Sequence, residues 1–120
     1  MNFLLWGAVS AGLTVILGAF GAHGLKDIFD EYSTAIYDKA VLYQMFHSLG
    51  LLVIGILQKL MPEQYFTPAG LLFILGTILF SGSLYILAIT GFKWLGAITP
   101  LGGLAFIGGW GYLVIKFTNY

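Results

Sequence analysis

Four long apolar stretches dominate the hydropathy pattern of this 120-residue chain, and the short segments between them hold almost every charged residue. The stretches cover approximately residues 3–22, 40–61, 68–90 and 95–117. About 20 apolar helical residues cross a hydrocarbon core of about 30 Å, so each stretch is long enough to span a membrane. Only helices and closed barrels satisfy the backbone in lipid, and the stretches lack the alternation of barrel strands. The pattern predicts an all-α integral membrane protein with four transmembrane helices.

The connections between the stretches predict the topology. Residues 91–94 and the proline-containing segment 58–67 are short, so consecutive helices are expected to be antiparallel neighbours in a four-helix bundle. The longer connection, residues 23–39, carries aromatic and aliphatic side chains at helical spacing near its end. We therefore expect the second helix to begin outside the bilayer. The predicted helices cover about 3–22, 31–61, 68–90 and 95–117, within a single transmembrane domain of residues 1–120.

Composition excludes several classes of protein. The hydrophobic fraction is 59% and the charged fraction 8%, whereas a soluble domain usually has about 25% charged residues. The chain has no cysteine, which excludes disulfides and thiolate sites. The formal net charge is zero and there is no basic run, so nucleic acid is not an expected partner. The first apolar stretch lacks a positively charged start and is interpreted as a retained helix rather than a signal peptide.

Lysine positions and tryptophans give weaker indications of how the chain sits in the membrane. An even number of spans places both termini on one side. The side with the long connection carries three lysines against two, which favours both termini outside and that connection in the cytoplasm. Trp6, Trp94 and Trp110 are candidate interfacial anchors, although Trp110 also lies deep enough to be a packing residue instead.

Small residues mark the expected packing faces, because helices in lipid associate through close backbone contact rather than through hydrophobic burial. The predicted packing positions on the first and fourth helices are Gly7, Ala11, Thr14, Gly18, Gly21, Gly102 and Gly109. The simplest interpretation is that these positions hold the four helices of one chain together. The first helix also has small residues on a second face, at Ala8 and Gly12, so homo-oligomerisation is a second hypothesis.

Polar side chains within the spans concentrate in the leaflet that contains the long connection. The predicted cluster consists of His23, Gln44, His47, Ser81, Ser83, Tyr85 and Thr99. Polar groups in a bilayer face the bundle interior and find partners there. The first interpretation is one hydrogen-bonded network beneath His23 that fixes helix register. The alternative is a small-molecule or proton pathway, or a ligand pocket, built around Gln44, His47 and Tyr85.

The same residues give little support for catalysis or cofactor binding. Two histidines without cysteine or a nearby carboxylate motif do not match a zinc pattern, so no metal or other cofactor is expected. No Asp or Glu lies within a span, which is unlike a proton-coupled exporter. Ser81-Gly82-Ser83 lacks the flanking pattern of a nucleophile elbow. No catalytic residue is predicted.

Five motifs in order resemble a small bacterial inner-membrane family of unknown function typified by the YgdD and YwdK proteins. The motifs are Gly18 to Leu25, Tyr43-Gln44-x-x-His47, Leu79 to Tyr85, Ile98 to Gly103 and Gly109-Trp110. The resemblance covers nearly the whole chain and implies a multi-pass protein of the bacterial cytoplasmic (inner) membrane with about four helices. It implies no activity. We therefore expect a non-enzymatic bundle that binds membrane lipid or partner proteins, with any small-molecule ligand unknown.

Overall fold

A computed structural model describes residues 1–119, and within that range four helical spans are long and apolar enough to cross a membrane. The spans begin and end within about two residues of the predicted positions, and the all-α membrane bundle is confirmed. The helices are α1 (Phe3–His23), α2 (Glu31–Leu60), α3 (Thr67–Gly76), α4 (Gly82–Thr90) and α5 (Thr99–Thr118). A π-helical turn (Thr77–Ser81) joins α3 and α4 into the third span, and a 3₁₀ turn (Lys93–Ala97) precedes α5 in the fourth.

Local chemistry fixes the ends of these helices. The side chain of Asp30 accepts a hydrogen bond from the Ser33 backbone N–H at 2.7 Å, which caps the first turn of α2. That bond also holds the pKa of the Asp30 carboxyl below its usual range. Gly91 ends α4 in the left-handed conformation at φ 73°, and its N–H donates to the Leu87 carbonyl oxygen. Pro62 follows α2 and cannot continue it.

Helix α2 is longer than the membrane requires. Its 30 residues extend about 45 Å, whereas the hydrocarbon core is about 30 Å thick. Lys39 and Lys59 bracket the uncharged part of the helix, so its first two turns lie outside the hydrocarbon. The prediction that the second helix continues beyond the bilayer agrees with this geometry.

Helix α2 and the third span form the centre of the bundle, with α1 packed chiefly along α2 and α5 chiefly along the third span. Glycines allow the closest approaches. A Cβ atom at Gly7 would lie 3.0 Å from the Leu52 backbone nitrogen of α2. A Cβ atom at Gly102 would overlap the backbone of Phe80 in the π-helical turn. These two contacts bring α1 and α5 against their neighbours at backbone distance.

The predicted packing residues lie on these contact faces. Gly7, Gly18 and Gly21 are against α2, while Ala11 and the buried Thr14 share their side of α1, and Gly102 and Gly109 are against the third span. The second small face of α1 is different. Ala8 and Gly12 are exposed, and no atom lies within 4 Å of a Cβ built on Gly12. Within the chain, that face has no partner among residues 1–119.

Candidate functional site

The predicted polar residues do not form one network in the part of the chain that the structure describes. His23 ends α1 and is exposed, so the expected cluster beneath it is not formed. Ser81 donates its hydroxyl to the Ala40 carbonyl oxygen at 2.8 Å, which ties the third span to α2. The hydroxyls of Ser83 and Thr99 lie 2.6 Å apart and tie α4 to α5. The prediction of a single connected cluster is wrong because these short side chains reach only the neighbouring helix.

Gln44 and Tyr85 belong to a separate network that joins three helices. The Tyr85 hydroxyl donates to Gln44 Oε1 at 2.6 Å. Gln44 Nε2 donates to the Ser10 carbonyl oxygen at 3.3 Å. The Ser48 hydroxyl lies 2.6 Å from both Ser10 Oγ and the backbone carbonyl oxygen of Gln44. Among the described residues, no buried side-chain nitrogen or oxygen lacks a hydrogen-bond partner, so this network is internally satisfied.

His47 makes its own pair of hydrogen bonds. Its Nδ1 lies 2.8 Å from the Tyr43 carbonyl oxygen, and its Nε2 lies 3.0 Å from Trp110 Nε1. A carbonyl oxygen only accepts and an indole N–H only donates. The arrangement therefore requires the neutral imidazole with its proton on Nδ1 and Nε2 as the acceptor. Trp110 on α5 is the partner that fixes this tautomer.

Aromatic rings enclose the imidazole of His47. It stacks on Phe106 with ring centroids 3.5 Å apart and planes 7° apart. Phe73 and Phe46 contact it edge-on, at centroid distances of 5.1 and 5.3 Å. His47 is 3% exposed, whereas Trp110 is 38% exposed. His47 is thus held inside an aromatic wall, and Trp110 forms the outer edge of that wall.

This wall borders a groove of about 520 Å³ between α2 and α5, which we call the aromatic groove. Its lining residues are Leu42, Tyr43, Phe46, His47, Phe80, Gly103, Phe106, Ile107 and Trp110. Apart from the bonded His47, the lining is apolar or aromatic, and Phe46 and Ile107 are more than half exposed at its edges. Gly103 borders open space in the groove, because a Cβ there would meet only the Phe80 ring, at an ordinary contact distance of 3.9 Å.

The aromatic groove occupies one half of the bilayer. Gly103 lies one turn into α5 from the end near the α1–α2 connection, and Trp110 lies near the middle of the 20-residue helix. At about 1.5 Å per residue, the α5 wall of the groove is about 10 Å long. The groove therefore extends from near the membrane surface on that side to about the bilayer centre.

A second groove, of about 310 Å³, lies where α1, α2 and the third span meet. Gln44 and Ser10 line this second groove, whereas His47 lines the aromatic groove. Tyr85 lines neither of them. The three residues predicted to surround one pathway are therefore divided between two faces of the bundle and its interior.

Sequence reasoning did not identify two partners that matter here. Ser10 was not among the predicted cluster residues, although it lies one helical turn after Gly7, which packs against α2. Trp110 was expected to be either an interfacial anchor or a packing residue, and not a hydrogen-bond partner. Its position near the centre of a span was the available signal, because a deep indole N–H needs an acceptor and His47 lies at a compatible depth.

The family model for a protein of unknown function designated DUF423 matches residues 17–103, which is more than half of the chain. The chain belongs to this family. A UPF0382 membrane protein of Staphylococcus epidermidis is 50% identical over 98% of the chain and 96% of its own length. The UPF0382 membrane protein YwdK of Bacillus subtilis is 47% identical over 98% of the chain and 97% of its own length. No solved structure matches the chain significantly.

Membership of the DUF423 family confirms the resemblance found in the sequence motifs. The names of these relatives describe membrane proteins, in agreement with the four apolar spans. None of these names describes an enzymatic activity. This is an integral membrane protein of unknown molecular function, and the geometry of its grooves is the starting point for a functional hypothesis.

Proposed function

We propose that the protein is a non-enzymatic bundle of the bacterial cytoplasmic membrane that binds an acyl chain of a membrane lipid in the aromatic groove. The observation that carries this proposal is the groove itself. It is about 520 Å³ in volume, within the range of ligand sites, and it opens between two helices at hydrocarbon depth. The molecules that surround the protein at that depth are lipid acyl chains. An acyl chain is therefore the ligand that this groove meets first.

The lining chemistry supports an apolar occupant. The His47 and Trp110 nitrogens that face each other are already bonded, so they offer no free donor or acceptor to a polar ligand. Phe80 and Phe106 present apolar rings. A water molecule in such a site would lack the two to four polar partners that hold buried water. An acyl chain needs only van der Waals contact with the rings.

The alternative function is a proton or small-molecule pathway around Gln44, His47 and Tyr85. Their separation between two grooves and the interior gives this alternative less support than the lipid site. A proton carrier also needs a group that is free to exchange its proton, and both ring nitrogens of His47 are hydrogen-bonded. The same engagement of His47 supports a non-enzymatic role, because it leaves no available base.

Native mass spectrometry of protein extracted from membranes tests the lipid site. Gly103→Leu fills the aromatic groove, while Gly111→Leu places the same side chain on the same helix where no atom lies within 4 Å. We expect the wild type and Gly111→Leu to retain lipid under delipidating detergent and Gly103→Leu to lose it. Equal lipid retention by a correctly folded Gly103→Leu variant would contradict the proposal.

Proton flux in liposomes that disappears in His47→Ala while the fold stays intact would favour the pathway instead.

Self-association through α1 is a second proposal for the same bundle. Only 17% of the most apolar part of α1 is buried, against 28% or more of the corresponding part of each other span. Its outward face carries Ala8, Gly12 and Ala19, all exposed. Small residues allow a second copy to approach at backbone distance. Because the chain has no cysteine, Gly12→Cys should cross-link in native membranes and Gly111→Cys should not; a purely monomeric result for both would remove this proposal.

A further inference from the structure

We propose that the ligand of the aromatic groove is a glycerophospholipid from the leaflet on the side of the α1–α2 connection. Its ester carbonyl accepts a hydrogen bond from the Tyr43 hydroxyl, and its phosphate lies at the Lys39 ammonium. This assignment rests on the proposed function and specifies the head of the ligand. It follows from the order of three features along one face of α2.

The first feature is the hydroxyl of Tyr43. Tyr37, Tyr85 and Tyr112 each donate their hydroxyl to a protein oxygen. The Tyr43 hydroxyl has no such partner among residues 1–119, although its ring is fixed against Phe80 at a centroid distance of 4.5 Å. Tyr43 lines the groove and is 39% exposed. A rigidly held donor at the edge of an apolar groove requires an acceptor from outside the protein.

The depth of Tyr43 identifies that acceptor. Tyr43 lies one helical turn below Lys39, the last charged residue before the uncharged part of α2. Side chains on a helix tilt toward its N-terminus, so the phenol extends back toward the membrane surface on the side of the α1–α2 connection. Ester carbonyls lie at that level of a bilayer, between the headgroups and the chains. The shape and depth of the site therefore match the polar end of an acyl chain.

The second feature is the placement of Lys39 on the groove side of α2. At 100° per residue, Lys39 lies near the centre of the arc formed by the groove residues Leu42, Tyr43, Phe46 and His47. Lys39 is exposed. Its flexible side chain extends to the headgroup layer, as lysines near span ends do. An ammonium on the membrane-surface side of the groove complements a phosphate.

The third feature is the deep end of the groove. Trp110 and His47, joined at 3.0 Å, lie at the deepest part of the lining, near the bilayer centre. The Lys39 ammonium, the Tyr43 hydroxyl and the apolar part of the aromatic groove thus follow one another from the membrane surface inward. A glycerophospholipid presents phosphate, ester and chain in the same order. The opposite leaflet would present only chain ends to this groove.

Native mass spectrometry titrations of delipidated protein with three lipids test the assignment. The lipids are a diester phosphatidylglycerol, its diether analogue without carbonyls, and a diacylglycerol without phosphate. We expect the wild type to prefer the diester phospholipid by about fivefold over each of the others, the size of one net hydrogen bond or one interfacial lysine. Tyr43→Phe should remove the preference over the diether, and Lys39→Gln should remove the preference over the diacylglycerol.

Matched controls on the opposite membrane side are Tyr65→Phe and Lys59→Gln, which should leave both preferences unchanged. If Gly103→Leu loses all three lipids but Tyr43→Phe and Lys39→Gln keep the wild-type preferences, the groove stands and the head assignment is overturned. If Gly103→Leu binds all three lipids normally, the lipid site itself is overturned. A quinone that binds more tightly than every lipid would also overturn the assignment.

Discussion

The hydrogen bond between Trp110 and His47 gives the sharpest test of how this bundle is held together. The test substitution is Trp110→Phe, which removes the indole N–H and keeps a ring beside Phe73, whose centroid is 4.7 Å from the tryptophan. Hydrogen bonds between transmembrane helices average about 0.6 kcal/mol and reach about 1.7 kcal/mol. Because His47 is 3% exposed, little else can reach its Nε2. We therefore expect a loss of about 1.5 kcal/mol in the free energy of unfolding, or about tenfold in the equilibrium constant.

Equilibrium unfolding in mixed detergent micelles measures this effect. Trp94→Phe is the matched control, since Trp94 is exposed in the 3₁₀ turn and should change stability by less than about 0.5 kcal/mol. His47→Ala should cost about 3 kcal/mol, because it removes a ring stacked on Phe106 and leaves a cavity. In that background, Trp110→Phe should cost less than in the wild type. Additive costs in the double variant, or a Trp110→Phe effect equal to that of Trp94→Phe, would refute the reasoning.

Three further predictions concern other parts of the structure. Nitrogen-15 NMR in lipid should find the His47 proton on Nδ1, and a proton on Nε2 would contradict the observed hydrogen bonds. Gly102→Leu should unfold or severely destabilise the bundle, because its Cβ overlaps backbone of the third span, whereas Gly111→Leu at an open position should melt like the wild type. The Ser33 N–H bond lowers the pKa of Asp30, so its stabilising contribution is present above the usual value of 3.8 and lost as the pH falls through the lowered folded value. The protection factors of the amides in the first turn of α2, taken relative to the intrinsic exchange rate at each pH, should therefore fall only below about pH 3.8; equal protection at pH 7 and pH 2 would contradict this.

The candidate site was only partly predictable. Gln44, His47 and Tyr85 stood out because polar side chains are rare within apolar spans and need partners there. Their partners were not predictable, because the rotation of each helix about its own axis decides which side chain faces which. Gln44 and His47 are three residues apart, yet they line two different grooves. A rotation of a helix by part of a turn about its own axis decides whether two polar side chains share one cluster or make independent contacts.

The lipid environment and the four-helix architecture follow from the sequence alone. Four uncharged stretches of membrane length require lipid around them, and in lipid the backbone must form helices. Only the packed helices show that an aromatic groove lies between α2 and α5, since its lining brings together Tyr43, Phe80 and Gly103 from three different spans. They also show that the Tyr43 hydroxyl, at the groove, has no hydrogen-bond partner among residues 1–119. Hydropathy is additive along the chain, whereas a groove is a property of side chains that are distant in sequence and meet only after the helices pack.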